Sequence, residues 1–478
     1  MRVKYQPIYE SIKSHPLPDW YAGAKFGIFI HWGLFSVPAW AYAERGKSIV
    51  DLAGDNEPFH AQKYNPYAEW YLNTMRIEGS PGARHHREVY GERDYYDFQK
   101  DFEHACAAFD PGEWARLFEQ AGARYAVLVT KHHDGYCLWP SAHVNPRRPG
   151  LCSKRDLVGD IAGAVRARGL KLGLYYSGIF DWTFKTGPIQ DSMSWIDHYL
   201  ASDEYAAYSL SQTQELIHRY RPSILWNDMG YPAQCDLNAL FAEYYNAVPE
   251  GVANDRWVQR DAGGLSLEDF TREELAKGDI IECRCDYGDF TSPEYDTAFR
   301  YKAQKWELTR GIGMSFGYNQ NEDPANFMTG RDIICTLADV VSKNGNLLLN
   351  VGPMADGTIE PAQREALLET GRWLAVNGEA IYDTQCLIDR QETVTDGGCR
   401  VSFTRSGDRL FAIVQDSAPR REVLLRDFVL ADAARATVLG ATGEAACSQT
   451  DGGLRVRLPE DTPRRSAYTL CFDMERPR

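Results

Sequence analysis

Asp228 closes the run Leu225-Trp226-Asn227-Asp228-Met229-Gly230, where an apolar stretch gives out at a carboxylate. Such a carboxylate can be a nucleophile, a general base or a metal ligand, and equally can cap a helix or hold a turn. Other apolar runs end in the same manner, on His31, on His132 and His133, on Tyr175, on Arg256 and on Phe316. Three histidines beside a carboxylate first suggest a metal, but the spacing is poor for one. His31 is followed by Trp32 and Gly33, whereas a strand presents its next ligand two residues on. His132 and His133 are neighbours, which a straight strand would point to opposite faces, so only a bend brings both into one site. The set better suits a ligand rich in hydroxyl groups: His, Glu, Arg and Tyr supply donors and acceptors, and Trp70, Trp226 and Phe316 supply apolar faces.

Cutting a glycosidic bond takes two carboxylates, one to attack or to activate water and one to protonate the leaving oxygen. Asp228 can be the first. For the second the chain offers Glu282, Asp286, Asp289, Glu294, Glu307 and Glu322, and spacing does not choose among them.

These residues need a scaffold that brings several strand ends to one edge, and the order of elements supplies it. Apolar strand candidates begin at Ala24, Tyr125, Leu170, Pro222, Gly251, Asp279, Met314 and Gly345, most of them separated by helix patterns. The helix patterns cover Pro66 to Leu72, Pro111 to Gly122, Lys154 to Arg168, Asp203 to Tyr220, Leu237 to Val248, Tyr301 to Arg310, Arg331 to Ser342 and Pro361 to Asn377. Such alternation means parallel pairing, and eight units mean a (β/α)8 TIM-like barrel, with its chemistry at the carboxyl ends of the strands. No glycine-rich phosphate turn follows an early strand, which sets the doubly wound alternative aside. From Thr384 on, short alternating strands with Asp-Gly-Gly and Ser-Gly-Asp turns predict a small all-β sandwich. The expected division is therefore a catalytic barrel over 1–383 and a β-sandwich over 384–478.

Lys and Arg number 52 and Asp and Glu 67, a formal charge of −15 that disfavours nucleic acid and anionic membranes as partners. No run of about 18 apolar residues is present to span a membrane, and the N-terminal residues lack the apolar core of a secretory signal. Eleven cysteines, an odd number without regular spacing, argue against a disulfide framework and for a reduced cytoplasmic setting. Cys283-Arg284-Cys285 has no partner pair at zinc-site spacing, so no metal is expected there.

Four blocks carry a resemblance. They are Lys-Phe-Gly-Ile-Phe-Ile-His-Trp-Gly-Leu-Phe-Ser-Val-Pro-Ala-Trp from Lys25, Lys-His-His-Asp-Gly-Tyr-Cys-Leu-Trp from Lys131, Leu-Trp-Asn-Asp-Met-Gly from Leu225, and Gly-Asn-Leu-Leu-Leu-Asn-Val-Gly-Pro from Gly345. In this order they resemble the signature blocks of the retaining α-L-fucosidases, glycoside hydrolase family 29, and the likeness runs from about Tyr5 to Tyr382. The resemblance implies an exo-acting hydrolase of terminal α-L-fucosides with Asp228 as nucleophile. It also implies that His31, Glu69, Trp70, His132, His133, Tyr175, Trp226, Arg256 and Phe316 contact fucose, with no cofactor and no metal. Asp-Phe-Thr-Ser-Pro-Glu-Tyr from Asp289 resembles the block that carries the acid/base in bacterial members, which selects Glu294. The two carboxyl groups are then expected about 5–5.5 Å apart. Arg256 should keep Asp228 ionised, and Glu294 should sit in drier or more anionic surroundings than Asp228. Two other readings remain: a metal-dependent barrel hydrolase using His31, His132 and His133 as ligands, and a silent fucose-binding protein of the same fold. The partner expected is a small carbohydrate, and assembly into a homo-oligomer is compatible with the sequence.

Overall fold

The computed structural model describes residues 4–44, 60–277, 284–296, 299–418, 420–430, 435–463 and 466–473. Seven parallel strands form one sheet: β1 Phe26–Ile30, β2 Tyr125–Lys131, β3 Lys171–Ser177, β4 Ile224–Asp228, β5 Val252–Ala253, β6 Trp306–Gly311 and β7 Gly345–Val351. Their order is β5-β4-β3-β2-β1-β7-β6. Almost every strand residue is buried, because helices cover one face and a packed interior fills the other. Phe29, Val127, Val129, Tyr175, Ile224, Trp226, Phe290 and Leu348 make up that interior.

The two edges, β5 and β6, are linked by the segment 290–294. Single parallel bridges join Asn254 to Phe290, Thr291 to Trp306 and Glu294 to Thr309. The sheet is thereby a (β/α)8-like barrel with one irregular stave. Its irregularity has a local cause: Pro293 has no N–H to give, and the N–H of Ser292 is taken by Asp255 Oδ1 at 3.0 Å. β5 is short for a related reason, since the Asn254 side chain replaces the ladder, accepting from Asn227 N at 2.9 Å and donating to Asn227 O at 2.8 Å.

Two expectations for this region are overturned. The stretch from Tyr301 to Arg310, read as a helix, contains strand β6, and the stretch from Met314, read as a strand, is loop. Helix-favouring residues such as Lys302, Ala303, Gln304 and Lys305 suggested the helix, but pairing of Trp306 through Gly311 with Gly345 through Asn350 overrides that preference. Trp306 and Leu308 pack with Val340 and Val341 on the outside, while Glu307 reaches Tyr21, Tyr125 and Trp226 inside, the two-residue alternation of a strand. The expected strand at Asp279 falls mainly on residues outside those described, as does Glu282.

The helices Pro111–Gln120, Leu157–Ala167, Asp203–Tyr220, Leu237–Ala247 and Gly330–Ser342 start on Asp110, Asp156, Ser202, Asp236 and Thr329, whose side chains each accept a main-chain N–H of the first turn. The Pro66 region is a single 3-10 turn, Ala68–Trp70, leading into the helix Tyr71–Arg76. From Gln385 the chain forms an antiparallel nine-stranded sheet. A bridge between Thr395 and Leu425 helps fold this one sheet over its own core of Val401, Phe403, Leu410, Val456 and Phe472. It is tied to the barrel by Trp373 Nε1 donating to Ala467 O at 2.9 Å and by the Lys343–Glu392 ion pair at 2.8 Å.

Candidate active site

Asp228 is the last residue of β4, and the residue after it, Met229, has φ +64°. This left-handed turn folds Met229 N back onto Asp228 Oδ1 at 2.9 Å and fixes the carboxylate at the strand end. Oδ2 accepts from the Tyr175 hydroxyl at 2.8 Å, and Oδ1 also accepts from Arg256 NH1 at 3.0 Å. Burial alone would raise its pKa, but Arg256, His133 and Tyr175 together hold it below the ordinary carboxylate value. The expectation that Arg256 keeps Asp228 ionised agrees with this geometry.

Arg256 lies just past β5 and is itself held from behind. Its Nε donates to Ser292 Oγ at 3.1 Å and its NH2 to Ser292 O at 2.8 Å, while Ser292 Oγ donates to Asp255 Oδ1 at 2.7 Å. The remaining nitrogen, NH1, faces both Asp228 and Glu294, whose Oε1 is 2.6 Å away. The two carboxylate oxygens are therefore at most about 5.6 Å apart, the 3.0 and 2.6 Å legs laid end to end. That limit applies to the two oxygens that share NH1, and it is compatible with the roughly 5–5.5 Å between carboxyl groups that double displacement uses. Of the expectation that Glu294 sits in drier or more anionic surroundings, the drier alternative fails: the Glu294 side chain is 33% exposed against 12% for Asp228. The reason is position, since Asp228 ends a buried strand whereas Glu294 ends the irregular stave.

His132 and His133 do both enter the site. The β2–β3 register shifts between Val129 and Lys131, and β2 ends at Lys131, so the chain bends where the two rings leave it, with centroids 4.0 Å apart. His133 Nε2 stands 4.0 Å from Asp228 Oδ2. His31, just past β1, has its ring 5.8 Å from that of His132 and 5.0 Å from Phe316. Burial lowers the pKa of His31 to about 4 and of His133 to about 3, and takes His132 well below its usual value, so all three are neutral near pH 7.

Glu69 and Trp70 arrive on the 3-10 turn. Glu69 Oε2 accepts from Gly317 N at 2.7 Å, next to Phe316 in sequence, and Trp70 lies edge-to-face with His133 at 5.2 Å. Burial pushes the Glu69 carboxyl up to about 8, against its main-chain hydrogen bonds and with further push from Glu294 and Asp228. Phe316 forms an aromatic corner with Tyr67 at 5.3 Å and Tyr295 at 5.4 Å. Trp226 is 1% exposed, stacked on Tyr175 at 5.5 Å with the Arg256 guanidinium 4.8 Å from its centroid. The structure thus brings every predicted site residue into one connected cluster.

The other candidate carboxylates go elsewhere. Asp289 accepts from Tyr245 and from Ala253 N and meets His15 at 3.0 Å. Glu322 accepts from Met314 N at 2.5 Å and shapes the loop. Asp286 is exposed, with its carbonyl accepting from Lys13 at 2.8 Å. Glu307, another of the six candidates, lies inside the barrel and accepts from Tyr21 at 2.9 Å, Tyr125 at 2.6 Å and Trp226 Nε1 at 3.2 Å. With 0% exposure it has no route to a leaving group. Burial brings its pKa to about 7, moderated by those three donors and Lys305. Among the described residues no group of three His, Cys, Asp or Glu is arranged to hold a metal ion.

The model of the α-L-fucosidase family matches residues 1–379. The chain belongs to the α-L-fucosidase family. It is 31% identical to the human tissue α-L-fucosidase over 96% of this chain and 89% of that protein, and 30% identical to the Dictyostelium discoideum enzyme over 99% and 93%. Among solved structures it is similar to the Thermotoga maritima α-fucosidase in complex with fucose, with a TM-score of 0.82 and 39% identity over 98% of this chain and 99% of that one.

Some members of this fucosidase-family site were not legible beforehand. Asn350, at the end of β7, joins His31 Nδ1 at 2.6 Å to Phe316 O at 2.6 Å, and Ser177, at the end of β3, joins His133 Nδ1 at 2.7 Å to Phe180 O at 2.7 Å. Their signal was a polar residue closing an apolar strand run, the same mark that singled out Asp228.

Proposed function

We propose that this protein is a retaining exo-α-L-fucosidase in which Asp228 is the nucleophile and Glu294 the acid/base. The observation that supports this reading is the sharing of Arg256 NH1 by the two carboxylates, which holds one oxygen of each within about 5.6 Å of the other, close enough for double displacement. Asp228 attacks the anomeric carbon as the bond to the leaving oxygen breaks, and that oxygen takes the proton of Glu294. Glu294, now a carboxylate, takes a proton from water whose oxygen attacks the same carbon, freeing Asp228 and returning fucose with its original configuration.

Arg256 and the Tyr175 hydroxyl hold Asp228 ionised and aimed, and His31, His132, His133, Glu69 and Trp70 bind the sugar's hydroxyls. The corner of Phe316, Tyr67 and Tyr295 receives the C6 methyl. A hydroxyl buried there without a partner costs about 1–3 kcal/mol, which disfavours the galactose-configured analogue. A reducing cytoplasmic setting belongs to the same reading, supported by the described cysteines all being free.

The test is turnover of 4-nitrophenyl α-L-fucoside followed by proton NMR. The first-formed sugar should be the α anomer, which then mutarotates. A β first product, or no release of fucose, rejects the proposal.

A further inference from the structure

We infer that the three site histidines present a fixed pattern of hydrogen-bond direction to the sugar, His31 and His133 as acceptors and His132 as donor, with Ser177 and Asn350 as the residues that set it. This inference rests on the fucosidase reading, and goes beyond which residues touch the sugar to which partner gives each proton.

The argument is a count of donors along two chains. Phe316 O can only accept, so the atom of Asn350 that faces it is Nδ2, a donor, at 2.6 Å. Asn350 Oδ1 then faces His31 Nδ1, also at 2.6 Å, and an amide oxygen can only accept. His31 therefore carries its hydrogen on Nδ1 and offers Nε2 as a bare lone pair. The second chain has the same form. Phe180 O can only accept, so the single proton of Ser177 Oγ goes to it at 2.7 Å. Ser177 Oγ must then accept from His133 Nδ1 at 2.7 Å, and His133 Nε2 is left as a lone pair. It faces another acceptor, Asp228 Oδ2, at 4.0 Å, so a group entering between them must bring the proton.

His132 has no such chain. Its Nδ1 is sealed from solvent and meets no hydrogen-bond partner among the described residues. A buried N–H without an acceptor is more costly than a buried lone pair without a donor, so the hydrogen of the neutral ring belongs on Nε2. His31 and His133 spend Nδ1 inside the protein and His132 Nδ1 is sealed, which leaves Nε2 of each ring for the ligand. The ligand that matches has hydroxyls that donate to His31 and His133 and an oxygen that accepts from His132. Ser177 is fully buried and Asn350 is 1% exposed, so both act through the histidines as positioning residues.

Fluorine keeps the size and polarity of a hydroxyl but cannot donate, which makes deoxyfluoro sugars a direct probe. The measurement is the competitive inhibition constant of L-fucose and of its 2-, 3- and 4-deoxy and deoxyfluoro analogues against the wild type, Ser177→Ala and Ser177→Thr. In the wild type at least one position should lose about fivefold or more on fluorination, as much as on deoxygenation, which marks a proton the sugar must give. In Ser177→Ala, where His133 can turn its hydrogen to Nε2, the extra loss at the position facing His133 should vanish while fucose itself binds several-fold more weakly. Ser177→Thr, which restores a hydroxyl, should restore the wild-type pattern. Fucose binding with every fluoro analogue as tight as fucose would overturn the pattern and leave the fucosidase reading standing. A Ser177→Ala protein with the wild-type fluorine profile would overturn the role of Ser177. A wild type that binds no fucose would overturn both readings.

Discussion

Asp228 and Glu294 meet on one nitrogen of Arg256, at 3.0 Å from Oδ1 and 2.6 Å from Oε1. The arrangement couples two elements of different kind, the regular end of β4 and the irregular stave 290–294. It gives Asp228 a permanent counter-charge and sets Glu294 at the accessible edge, where a leaving group and then a water must pass.

Removal of the acid should depend on the leaving group. In Glu294→Ala, natural oligosaccharides, whose alkoxide needs a proton, should slow by about 10²–10⁴-fold, and aryl fucosides with acidic phenols far less. Loss of the base in the second step should also let the fucosyl enzyme build up, seen as a burst of phenol followed by a slow steady rate. Equal slowing of both substrate types would remove Glu294 from the role.

Glu307 should matter for folding and not for proton transfer. Glu307→Ala leaves Tyr21, Tyr125 and Trp226 without their shared acceptor inside the barrel, a loss of about 3 kcal/mol or more. Glu307→Gln keeps an acceptor and should lose less. Denaturant unfolding measures both, and the leaving-group dependence of Glu307→Gln should match that of the wild type; a profile like that of an acid-less enzyme would return Glu307 to the chemistry.

Glu69 gives a pH dependence of defined sign. Its carboxyl is pushed up to about 8 in the folded protein against 4.5 as an ordinary glutamate, so between these values the folded state holds a proton that the unfolded state has lost. Stability from this group is fully present below about 4.5 and falls as pH rises toward 8. Glu69→Gln, which resembles the protonated form and cannot ionise, should therefore gain in melting temperature relative to the wild type as pH goes from 5 to 8. A difference independent of pH, or one that shrinks, contradicts a protonated Glu69.

His31 and His133 each spend Nδ1 on a neighbouring side chain and are assigned here to hydroxyls. Exhaustive chelation should leave turnover unchanged, and His31→Ala or His133→Ala should raise KM. Loss of activity on chelation that a divalent ion restores would bring back the metallohydrolase reading.

Much of this site was legible because a parallel barrel writes its active edge as apolar runs ending in polar residues, and Asp228, Tyr175 and the histidines all stand there. The bend that admits both His132 and His133 was foreseeable as a need but not as a fact, since it depends on a register shift against β3. β6 was hidden because residues of good helix propensity precede and enter it and its strand identity comes from pairing with β7. The choice of Glu294 among six carboxylates rested on resemblance, because its place is set by contacts distant in sequence, Asp255 to Ser292 and Arg256 to Ser292. Ser177 and Asn350 escaped notice because a serine or asparagine closing a strand reads first as a turn residue.

The central claim is that Asp228 forms the bond to fucose, and azide rescue of Asp228→Gly tests it most directly. The variant should lose turnover of aryl α-L-fucosides, and added azide, entering the space left by the carboxylate, should restore a single cleavage that yields β-L-fucosyl azide by NMR. A variant that turns over near the wild-type rate without azide, or an azide product of α configuration, would contradict it.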